Sequence, residues 1–188
     1  MSPFIYNLCQ KPIVGLAMAT VALCEFPPLM KDVQMKLGEA GSVAAADVEV
    51  PVDLNYSLML EMSNPAGESL SKQEVSIIGD RRVEECDENV DLAKVARQDR
   101  ASFGRRMTFK VEVRHKPDNL LVHSRTVNTL CVASKWANQR SRSLGNFLLA
   151  RGAYSVRIEN VEAQPGLERL TTAVVLAPGT NHPLTAQR

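Results

Sequence analysis

The chain has 188 residues, of which 22 are lysine or arginine and 21 are aspartate or glutamate, so its formal net charge is +1. A protein that binds nucleic acid or an anionic membrane as its main activity carries a marked basic excess, and this balance disfavours both. Aromatic residues make up 5% of the chain, which also disfavours a surface that stacks bases.

An uncharged, apolar run occupies residues 12–23 and follows Lys11. A transmembrane helix needs about 20 apolar residues, so the run is too short to span a bilayer, but it has the length of the apolar region of an export signal. We expect residues 1–24 to form a leader and residues 25–31 a proline-containing tether. Either cleavage follows the AMA tripeptide, or Cys24 becomes the lipidated first residue of a lipoprotein. The alternative is that the run is a buried strand or a short helix of the domain.

The cysteines agree with export. Two of the four, Cys86 and Cys131, lie in the body of the chain, and in an oxidising compartment such a pair is a candidate disulfide. The loop of about 45 residues that it would close corresponds to a stabilisation of roughly 3 to 4 kcal/mol. The alternative is two unrelated thiols. The cysteines and histidines lack the spacing of a metal site, so we expect neither a metal nor another cofactor.

Alternating apolar residues predict strands in the first third of the chain. The pattern occurs in residues 33–37, 48–52 and 56–62, and a period of two is typical of half-buried strands. Pro51 has no N–H to donate to a neighbouring strand. We therefore expect its strand to lie at a sheet edge or to bend there.

A short helical insertion is predicted over about residues 84–100. The segment has an amphipathic pattern, and Asn89 is a suitable N-cap. Its acidic residues 84–91 precede a basic stretch over 97–106. The two stretches form either a binding patch or a solvated surface with internal ion pairs.

The next segment predicts a β-hairpin. Residues 107–113 alternate between apolar and polar, a KPDN turn follows, and residues 120–132 supply the return strand. We expect a loop over residues 134–146, in which Trp136 covers an edge of the core.

The C-terminal part carries the sharpest signal for the fold. In the stretch LLARGAYSVRIEN, Gly152 supplies the backbone freedom of a turn, and the Tyr154 hydroxyl is placed to bond to main chain just upstream. This is the pattern of a tyrosine corner, although an ordinary half-buried strand tyrosine is the alternative. Together with the strands, it predicts an all-β, Ig-like β-sandwich over residues 32–178 with a short helical insertion, and a flexible tail over residues 179–188.

Three parts of the sequence together resemble the domain-of-unknown-function family 5625. They are the leader that ends at a cysteine, the stretch VEVPVDLNYSLMLEM and the ending LLARGAYSVRIENVEAQPGL. Six residues of the ending match the family pattern: Gly152, Tyr154, Val156, Glu159, Asn160 and Pro165. Arg151 stands where proline is usual, and Gly166 where an acidic residue is usual. The resemblance covers most of residues 30–178 and implies a bacterial exported lipoprotein with a β-sandwich domain and no assigned activity.

Few residues suggest catalysis. His115 and His123 flank the hairpin turn and could face each other, as a general base or a metal ligand would need. Two histidines without a third ligand are weak evidence for a site, so no catalytic or metal-binding residue is assigned. A cryptic hydrolase or metal-dependent enzyme built around these two residues is the alternative to a binding protein.

These observations predict a non-enzymatic exported protein that binds a protein partner through its loops. It would lie in the periplasm, or be lipid-anchored to the inner or outer membrane. The expected partner is an envelope component or a secreted toxin that the chain would neutralise as an immunity protein. Nucleic acid is not expected as a partner, and a membrane only through the lipid anchor. The candidate contact residues lie in the insertion and in the loop that follows the hairpin: Arg97, Arg105, Arg106, Trp136, Arg140 and Arg142.

Overall fold

The computed structural model describes residues 27–82, 89–100 and 102–179, which form two antiparallel sheets around one core. The five-stranded sheet contains, in spatial order, β1 (Met30–Gln34), β9 (Thr171–Pro178), β3 (Leu54–Ser63), β7 (Gln139–Leu149) and β6 (Ser134–Trp136). The four-stranded sheet contains β2 (Val43–Val50), β8 (Gly152–Asn160), β4 (Met107–His115) and β5 (Leu120–Thr129). The predicted all-β sandwich is confirmed.

Alternation along the strands builds the core between the sheets. In β3 every second residue is buried from Tyr56 to Met62, and β4 repeats the pattern from Met107 to Val113. Burial of these apolar side chains supplies most of the driving force for folding. Pro51 lies between β2 and β3, where the chain passes from one sheet to the other, so the predicted bend is confirmed.

Two local predictions of the sequence hold in detail. β4 and β5 form the antiparallel hairpin. The Tyr154 hydroxyl donates to the carbonyl oxygen of Ala150 at 3.0 Å, which is the bond expected of a tyrosine corner. Tyr56 makes an equivalent bond to the carbonyl oxygen of Val52 at 2.9 Å. A tyrosine hydroxyl therefore fixes the start of β3 in one sheet and of β8 in the other to the turn that precedes each strand.

Helices occur at two places, and one of them lies at the end of the interval that the sequence predicts to be helical. Helix α1 spans Lys72–Ile78, ahead of the predicted interval, and within the described part of that interval only α2 (Arg97–Arg100) is helical. A capping box begins α1. The Ser71 hydroxyl accepts the Glu74 N–H at 3.2 Å, and the Glu74 carboxylate accepts the Ser71 N–H at 2.7 Å.

The described residues upstream of α2, 89–96, form turns rather than the predicted helix, so Asn89 does not cap a helix there. The Asp91 side chain accepts the N–H of Ala93 at 3.0 Å, a local bond that competes with helix formation. Three apolar residues of the segment still pack on a small second cluster of buried side chains, which consists of Phe103, Leu130 and Cys131.

Two strands, β6 and β7, occupy the segment that the sequence predicts as a loop. Arg140 and Arg142 of β7 lie opposite the inward-facing Met62 and Leu60 of β3. Arginines at core-facing positions hide the apolar alternation that normally reveals a strand. Trp136 is 68% exposed, so it covers no edge of the core.

Several predicted boundaries fall at or beyond the edges of the described residues. The leader, Cys24 and Cys86 lie outside them, and the predicted tether overlaps β1, which begins at Met30. Cys131 is buried and disulfide-bonded. Because the other three cysteines lie outside the described residues, the pairing of Cys86 with Cys131 stays a prediction. Of the predicted tail, only Gly179 is described.

Candidate binding surfaces

Arg142, predicted to contact a partner, is instead fully buried. Its Nη1 donates to the carbonyl oxygens of Arg105 at 2.8 Å and Thr129 at 2.9 Å, and its Nη2 donates to that of Ile78. The side chain therefore joins the end of α1, the start of β4 and the end of β5. Because it is inaccessible, the prediction of a contact role for Arg142 is wrong.

Trp136 and Arg140 lie together on the hairpin of β6 and β7. Asp80 binds Lys135 at 3.1 Å and Arg140 at 3.0 Å, and the Arg140 guanidinium also donates to the carbonyl oxygen of Trp136. Desolvation raises the pKa of the Asp80 carboxyl, but the hydrogen bonds and charges of the two cations outweigh it and leave the pKa below its usual value. The Arg140 guanidinium thus stabilises the hairpin through these bonds. Trp136 is the residue of the hairpin that is exposed to solvent.

The three remaining candidates lie on or beside the insertion. Arg105 donates to the carbonyl oxygen of Pro165 at 3.1 Å, and Arg106 to that of Val90 at 3.1 Å. Arg97 is exposed on α2. These bonds tie two of the three arginines to neighbouring backbone. The six candidates therefore do not form one surface.

His115 and His123 have separate surroundings. The His115 ring meets the Tyr154 ring edge-on at 5.4 Å, and its Nδ1 lies 2.9 Å from an Asp118 oxygen. The His123 ring meets that of Phe147, in the other sheet, at 5.1 Å. Within the described residues, no three histidine, cysteine, aspartate or glutamate side chains are grouped so that they could hold a metal ion.

A groove of about 730 Å³ opens between the segments that follow β1 and precede β9. Several of its polar side chains already have partners. Lys36 pairs with Glu39 at 3.4 Å, the Thr172 hydroxyl donates to the carbonyl oxygen of Met35, and the Glu168 carboxylate accepts the Gly166 N–H. The groove is therefore large enough for a small ligand but has few free hydrogen-bonding groups to bind one.

The outer face of the five-stranded sheet is the surface that points away from the core. Directly opposite residues in paired strands share a face, and among the rows that the register gives across it, three lie at and beside Glu61. The first row is Gln34, Ala173, Glu61, Ser141 and Ser134. The second is Thr171, Ser63, Gln139 and Trp136, and the third is Val175, Met59 and Ser143. Glu61 is the one ionisable side chain in these three rows.

Glu61 differs from Glu112, which lies on the outer face of the four-stranded sheet. Burial raises the pKa of the Glu61 carboxyl, and the nearby Asp32 carboxylate adds to the effect, while a hydrogen bond from Gln139 and the charge of Lys31 oppose it. In contrast, Glu112 lies 2.9 Å from Lys110, whose hydrogen bond is the largest cause of the lowered pKa of Glu112. Sequence reasoning missed Glu61, although its stretch NYSLMLEMS shows a single charge among the outward-facing positions of β3.

Replacing Glu61 with glutamine should raise the stability of the domain at pH 7. The raised folded-state pKa means that folding favours the protonated carboxyl. The stability that this group contributes is present below its unfolded pKa, near the ordinary value of 4.5, and is lost as the pH rises through the folded pKa. Glutamine removes that loss, so the urea midpoint of Glu61→Gln should exceed that of the wild type at pH 7 and approach it near about pH 3.

Glu112→Gln is the matched control. Because the folded-state pKa of Glu112 is lowered, its contribution is present above the unfolded pKa and is lost as the pH falls. We therefore expect Glu112→Gln to lower the midpoint slightly at pH 7. A lower midpoint for Glu61→Gln at pH 7 would mean that the folded protein stabilises this carboxylate, contrary to the interpretation above.

Comparisons with known proteins bear on the fold. The crystal structure of GEBA250068378 from Sulfurospirillum deleyianum is similar to this chain, with a TM-score of 0.61 and 20% sequence identity over 84% of this chain and 100% of that chain. At this identity the likeness shows a shared fold. No curated protein matches the sequence.

Two enzymes give weaker matches. A ruminal GH26 endo-β-1,4-mannanase has a TM-score of 0.35 at 10% identity, covering 77% of this chain and 19% of that one. A Paenibacillus sp. cycloisomaltooligosaccharide glucanotransferase complexed with cycloisomaltoheptaose has a TM-score of 0.33 at 12% identity, covering 78% and 14%. Scores this low carry no conclusion about the present chain.

Neither helix of the described residues has the length and apolar character needed to cross a bilayer. A family model, that of the domain of unknown function DUF5625, matches residues 32–178, which include every strand but the first residues of β1. The match therefore covers most of the chain and nearly all of the sandwich. The chain therefore belongs to the DUF5625 family.

Proposed function

We propose that this chain is an exported, non-catalytic binding protein whose partner is another protein of the cell envelope. The observation that carries the proposal is Trp136, which is 68% exposed at the end of a short, well-held strand. Tryptophan is enriched among the residues that dominate protein–protein binding, because a large ring gains much from burial and loses few rotamers.

The surroundings of Trp136 support a preformed contact. Asp80 restrains the hairpin through Lys135 and Arg140, and the hydroxyls of Ser134 and Ser141 lie 2.6 Å apart across β6 and β7. A partner would therefore meet a ring on a rigid support, which reduces the entropy lost on binding. Beside it on the outer face lie the uncharged side chains of Gln139, Ser63 and Thr171, which a protein partner can cover without removing a charge from water.

Export is supported by sequence and by cysteine chemistry. The apolar run at 12–23 has the length of a signal, and the disulfide-bonded state of Cys131 suits an oxidising compartment. In this proposal the mature chain is free in the periplasm or anchored by lipid at Cys24. Its partner is an envelope component or a secreted toxin that the chain neutralises.

The intact mass of the protein from its native cell envelope, with and without reductant, tests export. A chain that begins at Cys24 and carries lipid, or an unlipidated chain that begins just after the AMA tripeptide, is the expected result, with two hydrogens gained on reduction. A full-length, unmodified chain with free thiols would contradict export and the disulfide together.

Photo-crosslinking tests the binding surface. A photoreactive residue at position 136 should give one discrete adduct in the envelope, whereas the same residue at Leu120, which is 58% exposed in the other sheet, should not. With the captured protein purified, Trp136→Ala should weaken binding about 30-fold, equivalent to about 2 kcal/mol. Equal adducts from both positions, or unchanged affinity for Trp136→Ala, would rule out this surface.

A further inference from the structure

We infer that β5 is the edge at which the protein partner adds a strand of its own to the four-stranded sheet. An extended segment of the partner pairs with residues 123–129, and an acidic side chain of that segment binds Arg125. This role of β5 rests on the proposed function and names the form and the charge of the partner segment. It adds a contact to the one that Trp136 supplies.

The main chain of β5 is open along one side. β5 ends the strand order of its sheet, with β4 beside it. The Val161 N–H donates to the carbonyl oxygen of Thr108 at 3.0 Å, so Thr108 of β4 faces β8. Successive residues of a strand direct their main-chain groups to opposite neighbours. Phe109 therefore faces β5, where it pairs with Val127. The residues of β5 that turn their N–H and C=O groups away from β4 are Ser124, Thr126 and Asn128.

These outward groups have the form that strand addition needs. All three residues are exposed. Among the described residues, no main-chain hydrogen bond outside the strand ladder involves them. A row of free donors and acceptors on an edge is a template for a further strand, and the main-chain bonds formed there supply affinity.

The other edge strands carry features that hinder pairing. β1 has five residues and a register break, and β6 has three residues. β2 carries two carboxylates, and Lys116 lies 2.6 Å from that of Asp47. Short length, irregularity and charge are the usual protections of an edge. Over residues 123–129 the register of β5 with β4 is unbroken, since the irregularity falls at Val122, and Arg125 supplies the charge.

Arg125 sets the charge of the partner segment. Its Nη2 donates to the carbonyl oxygen of Leu144 at 3.0 Å, and its guanidinium carbon lies 4.7 Å from the centre of the Phe147 ring, both in the other sheet. Gly145 makes room for it, because a Cβ there would overlap the guanidinium. The head group is thus held in place, while no carboxylate of the described residues pairs with it.

An added antiparallel strand brings a side chain directly to Arg125. Opposite residues point to the same face of a sheet. Because the main chain of Arg125 faces β4, its pair with the new strand lacks mutual hydrogen bonds, and in such pairs the Cα atoms are about 4.5 Å apart. A carboxylate at this position can form charge-assisted bonds with the guanidinium. Two residues along the segment, an apolar side chain would meet the half-buried Val127.

A second copy of this chain suits the edge less well. Neither β5 nor β7 contains an acidic residue, so two β5 strands that pair would leave both copies of Arg125 without a carboxylate. A register centred on Arg125 would also place like charges directly opposite each other, which destabilises pairing.

The β5 edge and Trp136 lie on the same side of the sandwich. β5 ends one sheet, and β6, which carries Trp136, ends the other. Both reach β7, since Arg125 bonds to Leu144 and Trp136 pairs with Gln139. One partner can therefore meet both. Leu120 lies about 10 Å before the paired stretch, so this contact leaves it free.

Amide hydrogen exchange followed by nuclear magnetic resonance tests the edge on the full chain. The probe is the peptide acetyl-Thr-Val-Thr-Glu-Thr-Thr-amide. In the free protein, the amides of Ser124, Thr126 and Asn128 should exchange faster than that of Val127, which bonds to β4. At saturation the peptide should slow these three amides about tenfold. Its glutamine analogue should bind about tenfold more weakly, and an analogue N-methylated at alternate residues should not slow them.

Two variants complete the test. Thr126→Pro removes an outward N–H without breaking the ladder with β4, and should weaken peptide binding at least about tenfold. Ala45→Pro is the matched control on the β2 edge. Its N–H also points outward, because the Asn160 N–H bonds to the carbonyl oxygen of the preceding even-numbered residue, Ser42. Urea unfolding checks that both variants fold. Arg125→Gln should reduce the affinity of the glutamate peptide to that of the glutamine peptide and leave the latter unchanged.

Several results would overturn strand addition at β5. They are unchanged exchange of the three amides with the glutamate peptide, equal affinities of the glutamate and glutamine peptides, and equal effects of Thr126→Pro and Ala45→Pro. A dimer in sedimentation that Thr126→Pro dissociates would also do so, because the edge would then belong to a second copy.

The outcomes separate this edge from the proposed function. Adducts at position 136 without peptide binding at β5 would leave the binding protein and remove strand addition. Peptide binding at β5 without adducts at position 136 would leave the edge and remove the Trp136 surface.

Discussion

Replacing Arg142 with methionine should lower the free energy of unfolding by about 3 to 5 kcal/mol. Methionine has a similar reach but no donor, so three carbonyl oxygens, the buried ones of Thr129 and Ile78 and the partly buried one of Arg105, would lose the guanidinium that they share. Ile78 ends α1, and the carbonyls of a last helical turn have no partner within the helix. The change should therefore loosen α1 and the ends of two strands together.

Arg157→Met is the matched control, because Arg157 is also an arginine on a strand but forms an exposed ion pair with Glu159. Its expected cost is below about 1 kcal/mol. Arg142→Lys should resemble the methionine variant, since an ammonium cannot reproduce the fork of donors. Urea unfolding followed by circular dichroism measures all three, and an Arg142→Met midpoint equal to that of the wild type would contradict the structural role.

The contrast between Arg142 and Tyr154 shows what a sequence can reveal about this fold. Tyr154 was predictable because its bond to Ala150 spans four residues, and the glycine and alternation around it are visible locally. The partners of Arg142 lie 13 to 64 residues away. In the polar stretch QRSRS, Arg142 is expected to be exposed to solvent. Only the pairing of β7 with β3 shows that it faces the core.

The same distinction applies to α1 and Glu61. The capping box of Ser71 and Glu74 was readable in the sequence, but seven residues are too few to display a helical period clearly. Glu61 needed a different kind of information. Its alternation places it outward, but the nearness of Asp32 and Lys31 depends on how the strands are ordered in the sheet, and sequence periodicity does not give strand order.

Gly104→Ala should destabilise the domain by about 4 kcal/mol or more, because it combines two costs. Gly104 has a φ of +73°, which L side chains rarely adopt, and a Cβ there would lie 2.4 Å from the backbone nitrogen of Gly79. In return, a Cβ at Gly79 would lie 2.4 Å from the carbonyl oxygen of Phe103. The end of α1 and the segment before β4 therefore cross at two glycines, and neither backbone can move aside alone.

Gly67→Ala separates the two costs. Gly67 has nearly the same φ, +74°, but an added Cβ would meet nothing within 4 Å. Its expected cost is therefore that of the backbone conformation alone, about 1 to 2 kcal/mol. Gly79→Ala should match Gly104→Ala, since both break the same crossing. If Gly104→Ala lowers the free energy of unfolding no more than Gly67→Ala does, the two backbone segments move apart at little cost. If the difference is as large as expected, the segment that joins the insertion to β4 is a structural element, and variants intended to test partner binding should avoid it.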